Sequence, residues 1–162
     1  MARRLALIAH DNRKVDFVAW ATFNRETLAQ FELVATRHTA RLVRDKVGLE
    51  VEELLSGPEG GDAQIAARVA TGAVDVVFFF VDPLWAQPHD PDVRALLRVC
   101  NVHNVALATN LGTADLIITA LSPLTAGHRG AAEPACRRAE IRRNRRAAPF
   151  TCRRPPASRA AR

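Results

Sequence analysis

Cysteine is scarce in this chain, with only Cys100, Cys136 and Cys152 among 162 residues. Three scattered cysteines build neither a disulfide framework nor a zinc site, so free thiols in a reducing compartment are expected. Long apolar runs are also lacking. The longest uninterrupted one spans residues 76–81, far short of the ~20 residues that cross a bilayer. Residues 5–9, behind Arg3 and Arg4, are too few for a signal-peptide core of ~7–15 residues, and His10 and Asp11 follow at once. A cytoplasmic protein without a membrane partner is expected. There is no G-x-G-x-x-G and no Walker A sequence, which removes support for the common nucleotide fingerprints. No internal repeat is visible.

A net positive charge is missing from most of the chain, although the formal net charge is +6. From residue 121 onward there are 11 Arg and 2 Glu, whereas residues 1–120 hold 12 Lys+Arg against 15 Asp+Glu. The body is therefore mildly acidic and the basicity sits in a tail. With 48% apolar and 25% charged residues, the body suits one globular domain with a real core. We expect that domain over residues 1–121. Residues 122–162, rich in Arg, Ala and Pro without an apolar period, are expected to be disordered. A basic arm for nucleic acid is the alternative for the tail, and nucleic acid is otherwise not an expected partner. Translation of GC-rich DNA out of frame would leave the same composition.

Short β-rich runs alternate with helix-compatible ones. Residues 5–9 read as a strand buried on both faces, 14–30 as a helix, 31–35 as a strand and 39–46 as a short helix ending at Gly48. Residues 51–55 form a weaker strand, 62–71 a helix closed by Gly72, and 74–81 the strongest strand. A helix opens at Asp90 or Pro91 and runs to about Val102, followed by a strand over 105–109 and a helix over 113–121. Five strands alternating with five helices predict an α/β fold around a parallel sheet.

Ligands of such sheets bind beyond the carboxyl ends of the strands, and the polar residues collect there. His10, Asp11 and Lys14 follow the first strand; Thr36, Arg37, His38 and Thr39 the second; Ser56-Gly57-Pro58-Glu59-Gly60-Gly61-Asp62 the third; Asp82 and then His89-Asp90-Pro91-Asp92 the fourth; Thr109 and Asn110 the fifth. Each has a plainer reading. Asp11, Asp62 and Asp90 suit helix N-caps. Gly57, Gly60 and Gly61 either shape a turn or let backbone N–H groups approach a phosphate. His103 suits a helix end, and Trp85 with Phe78-Phe79-Phe80 suits the core.

Several of these stretches resemble methylglyoxal synthase. They are Leu7-Ile8-Ala9-His10-Asp11 with Lys14, then Leu55-Ser56-Gly57-Pro58 through Gly60-Gly61-Asp62-Ala63-Gln64, Asp82-Pro83-Leu84, Pro88-His89-Asp90-Pro91-Asp92-Val93, and Ala108-Thr109-Asn110 with Thr113-Ala114. The likeness covers roughly residues 4–121. It implies a doubly wound, flavodoxin-like three-layer sandwich around a five-stranded parallel sheet, assembled as a homohexamer. It implies a carbon–oxygen lyase that turns dihydroxyacetone phosphate into methylglyoxal and inorganic phosphate, a bypass of lower glycolysis, without metal or organic cofactor. By position it makes Asp62 the base and later acid, and His89 a ligand of the substrate carbonyl and a proton mover. His10, Lys14, Ser56 and Gly57 become substrate and phosphate contacts, and Asp82 and Asp92 become supporting carboxylates that hold the imidazoles and tune proton affinity. The family's phosphate loop reads Thr-Gly-Thr-Thr-Gly, whereas this chain has Thr36-Arg37-His38-Thr39-Ala40. Thr36, Arg37, His38 and Thr39 are the expected phosphate contacts there. The altered loop also motivates an alternative, a non-catalytic phosphate- or nucleotide-binding module of the same fold.

Overall fold

The computed structural model describes residues 3–85 and 90–122. Residues 86–89, with His89, and 123–162, with Cys136 and Cys152, lie outside the described residues. Five parallel strands form one sheet: β1 (Arg4–Ala9), β2 (Glu32–Thr36), β3 (Glu52–Leu54), β4 (Val76–Phe80) and β5 (Ala106–Ala108), in the order β3-β2-β1-β4-β5. The central strand β1 lies between β2 and β4, with Leu7 beside Ala35 on one side and Phe78 on the other.

Strand alternation sends successive side chains to opposite faces, and both faces are covered. Leu5, Leu7, Phe78 and Phe80 pack with Phe17 and Trp20 of α1 (Lys14–Phe23) and with Ala114 and Ile118 of α6 (Leu111–Leu121). Leu28 of α2 (Arg25–Leu28) and Ala40 of α3 (Arg37–Leu42) close the same side. Ala6, Ile8, Val77 and Phe79 meet Ile65 and Val69 of α4 (Gly61–Thr71) and Leu96 and Cys100 of α5 (Asp90–His103). Double burial is why β1 and β4 read as unbroken apolar runs. The result is the expected doubly wound α/β sandwich, with aromatic weight on the α1 side, where Trp20 and Phe78 ring centres stand 4.9 Å apart.

The structure departs from the sequence expectations at several element ends. The helix expected over 14–30 is broken at Asn24, whose side-chain amide donates to the Trp20 carbonyl at 2.9 Å in competition with the backbone. The third helix begins at Arg37 rather than residue 39 and widens into a π-helical turn, Val43–Val47, before Gly48. β3 and β5 are shorter than expected, since each is an edge strand paired on one side only. Asn110 caps α6, its Oδ1 accepting from the Thr113 N–H at 2.9 Å, so that helix starts at Leu111 rather than Thr113. Trp85 is no core residue: it is 67% exposed on the loop after β4, whereas Phe78, Phe79 and Phe80 lie inside the strand and are buried. Cys100 is a buried free thiol, and burial pushes its pKa up to about 11. Among the described residues, no helix is long and apolar enough to cross a membrane.

Candidate active site

β1 leads into α1 through a short 3₁₀ turn, Asp11–Arg13. β2 turns directly into α3, and β3 reaches α4 through a second 3₁₀ turn, Gly57–Glu59. These three exits meet at the carboxyl edge of the sheet, around a cavity of about 130 Å³. Eight of the site residues expected from the sequence line it: His10, Lys14, Thr36, His38, Thr39, Ser56, Gly57 and Asp62. Asp62 and Thr39 are fully buried, and His10, Thr36 and Ser56 are nearly so.

Backbone geometry fixes the orientation of these groups. Asp62 is not an N-cap. Gly60 occupies that position with φ +99°, and Asp62 stands inside the first turn of α4. Gly61 lets the chain return against itself, its N–H donating to the Ser56 carbonyl at 2.8 Å. A Cβ on Gly61 would stand 2.1 Å from the Leu55 carbonyl oxygen. The Thr39 hydroxyl accepts from the Ala9 N–H at 3.3 Å and from the Thr36 hydroxyl at 3.2 Å, tying β1 to the β2 exit. Lys14 pairs with Asp11, one turn before it.

His10 is anchored by Asp82, though not as a carboxylate–imidazole pair. The Asp82 backbone N–H donates to His10 Nδ1 at 3.0 Å. The Asp82 carboxylate instead accepts from Asn12 Nδ2 at 2.7 Å and from the Leu84 N–H at 3.1 Å. A backbone amide can only donate, so Nδ1 is the acceptor and the proton of a neutral His10 resides on Nε2. The tautomer is therefore set by the main chain after β4.

Three more expected site residues stand apart from the cavity lining or outside the described residues. Arg37 directs its guanidinium to Glu59 at 2.7 Å and toward Glu53 at 3.8 Å. Asp92 lies half-buried in the first turn of α5. His89 lies outside the described residues. Three residues near the site have a part that the sequence reading does not assign. Asp11 lines the cavity beside Lys14, a pairing that their three-residue spacing could have suggested. Asn12 holds Asp82. Glu59 completes a capping box with Ser56, for which the Ser-x-x-Glu spacing was the available signal. Among the described residues, no group of three or more His, Cys, Asp and Glu could hold a metal ion.

Two carboxylates near the site, Asp11 and Asp82, and one at the start of β3, Glu52, carry a pH signature. Asp11 titrates below the ordinary carboxylate range because it accepts from Lys14, Glu52 because it accepts from Arg68, and Asp82 because it accepts from Asn12 and the Leu84 N–H. Each folded pKa lies below its unfolded value. Their stabilisation is therefore complete above the unfolded pKa, about 4, and is lost as the pH falls through the lowered folded values. The urea midpoint is expected to decline below about pH 4. A midpoint unchanged down to pH 2 would contradict this.

Comparison with known proteins identifies the family. The family model for the MGS-like domain matches residues 16–109. A methylglyoxal synthase of Clostridium botulinum (strain Alaska E43 / Type E3) is 56% identical over 115 residues, which cover 71% of this chain and 97% of the relative. The chain belongs to the methylglyoxal synthase family. A methylglyoxal synthase of Cupriavidus pinatubonensis is 54% identical over 123 residues, covering 76% and 95% of the two chains. The crystal structure of methylglyoxal synthase from Elizabethkingia anophelis NUHP1 superimposes with a TM-score of 0.70 at 36% identity, covering 82% of this chain and 94% of that one. At the β2 exit, this chain keeps Thr36 and Thr39 at the cavity, with Arg37 following Thr36.

Proposed function

We propose that this chain is a methylglyoxal synthase, a lyase that eliminates inorganic phosphate from dihydroxyacetone phosphate. The observation that carries the reading is the fully buried Asp62, which shares one small cavity with His10, Lys14, Thr39 and Ser56. A base, a neutral imidazole donor, a cation and hydroxyl donors are what the reaction needs.

Asp62 takes a proton from the hydroxymethyl carbon of the substrate. Charge then develops on the carbonyl oxygen, where a preorganised donor is most effective. The Nε2–H of His10 supplies one, since its Nδ1 is engaged by the Asp82 N–H. His89 serves the same oxygen, and Asp92 supports it. The enediolate collapses by breaking the bond between its other terminal carbon and the phosphate oxygen, and the electron pair leaves with the phosphate. The hydroxyl proton on the former hydroxymethyl carbon passes to the departing phosphate as that carbon becomes the aldehyde, and the enolate left behind regains the proton held by Asp62 at its methylene carbon, giving methylglyoxal. Lys14, Ser56, Gly57, Thr36, Thr39 and His38 hold the phosphate so that the breaking bond lies out of the enediolate plane. The Thr39 hydroxyl already accepts from two donors, so its own hydrogen is left for an anion.

The catalytic unit lies within residues 1–121, a reading supported by the family match to residues 16–109. We further assign it to the cytoplasm, as a homohexamer in a bypass of lower glycolysis. The test is direct. The purified chain, given dihydroxyacetone phosphate, is expected to release methylglyoxal and phosphate in equal amounts. Binding of phosphate without turnover would favour a non-catalytic module instead.

A further inference from the structure

The Ser56 donors already have an anion. Glu59 Oε2 accepts from the Ser56 hydroxyl at 2.6 Å and from the Ser56 N–H at 3.2 Å. The same oxygen meets Arg37 Nη1 at 2.7 Å. Ser56 lines the cavity, and Arg37 sits between the cavity residues Thr36 and His38. Its backbone N–H also reaches the Leu55 carbonyl at 3.3 Å. One carboxylate oxygen thus joins the two chain segments that form the anion side of the cavity.

From this we infer that Glu59 and Arg37 are paired positioning residues that set the cavity's affinity for a phosphate group. The inference rests on the phosphate-binding reading of that cavity. Glu59 competes with an incoming phosphate for the Ser56 donors, and its charge repels the same anion. Arg37 offsets both effects by holding the carboxylate and neutralising it. Glu53 has Arg41 and Arg44 as well as Arg37, whereas among the described residues Arg37 is the cation on Glu59. Removing Arg37 therefore leaves a bare carboxylate beside the phosphate, and removing the Glu59 charge weakens its hold on the Ser56 donors and releases Arg37. Ionised Glu59 is the stable form, since hydrogen bonds from Ser56 and Arg37 lower its pKa.

The test is a double-mutant cycle on the full chain, with inorganic phosphate binding read by calorimetry. Glu59→Gln keeps an acceptor for the capping box and removes the charge. It is expected to tighten phosphate about 3- to 5-fold, the scale of a partly exposed charge pair. Arg37→Ala is expected to weaken phosphate by a similar factor, with Arg37→Gln as the substitute if the alanine form does not fold. In the Glu59→Gln background the Arg37 change is expected to cost less than about 2-fold, because the two effects are coupled. KM for dihydroxyacetone phosphate should follow the same pattern with kcat unmoved, which a purely structural cap would not produce. Equal weakening by Arg37→Ala in both backgrounds would mean that Arg37 touches the phosphate directly, and would overturn the pairing while leaving the phosphate site intact. Weaker binding in Glu59→Gln would overturn it too. Phosphate binding to none of the four proteins would overturn the pairing and the phosphate reading together.

Discussion

Asp62→Asn is expected to abolish methylglyoxal formation while leaving a folded protein that still binds inorganic phosphate. The amide has the shape of the carboxyl group but cannot accept the substrate proton. General-base removal costs typically 10²–10⁴-fold in rate, and we expect at least ~10³-fold because Asp62 is the fully buried carboxylate of the cavity. Phosphate affinity should hold or improve, since a negative charge leaves the cavity. The two readouts separate loss of chemistry from loss of fold, because an unfolded chain would lose both. Turnover retained within tenfold would place the base elsewhere.

Gly61→Ala is expected to be the most damaging single-methyl change in the described fold. The added carbon would stand 2.1 Å from the Leu55 carbonyl oxygen and 2.9 Å from that of Ser56. Both contacts are backbone, so the β3 exit must move. Overpacking of this kind costs typically 1–3 kcal/mol and occasionally more. The displaced segment carries Ser56, Gly57 and Asp62, so turnover should fall beyond the loss of stability. Gly72→Ala provides the contrast. Gly72 has φ +75° at the end of α4, and nothing lies within 4 Å of the place a methyl group would take there. That change is expected to cost only the left-handed backbone penalty of about 1–2 kcal/mol, with kcat intact. Urea denaturation of the two variants, alongside kcat, checks both. A Gly61→Ala protein as stable and active as Gly72→Ala would refute the packing argument.

Much of this architecture was legible because burial leaves marks on sequence. β1 and β4 are covered on both faces and had to be unbroken apolar runs. The alternation with helices then made the sheet parallel. The ends of elements were less legible, because they depend on single hydrogen bonds such as Asn24 to the Trp20 carbonyl. Trp85 misled because an aromatic residue carries no local sign that its loop leaves the core. At the site, the spacing of Ser56-Gly57 and Gly60-Gly61-Asp62 held the chemistry in one short segment, and the cavity gathers it. The tautomer of His10 was not readable in the same way. The expected agent was a carboxylate, but a main-chain N–H contacts the ring. Backbone donors are identical at every residue, and only the fold says which one arrives.

The pairing of β1 with β4 joins Leu5 to Val76, so the middle of the sheet waits for a partner some seventy residues downstream. Among the described residues, the cavity lining ends in sequence at position 62, yet the amide that orients His10 belongs to Asp82. Pairings so distant along the chain are slow to form. A refolding population should therefore recover helical dichroism first and ligand affinity afterwards, and simultaneous recovery in stopped-flow would count against that order. Competence is the last thing this polypeptide acquires.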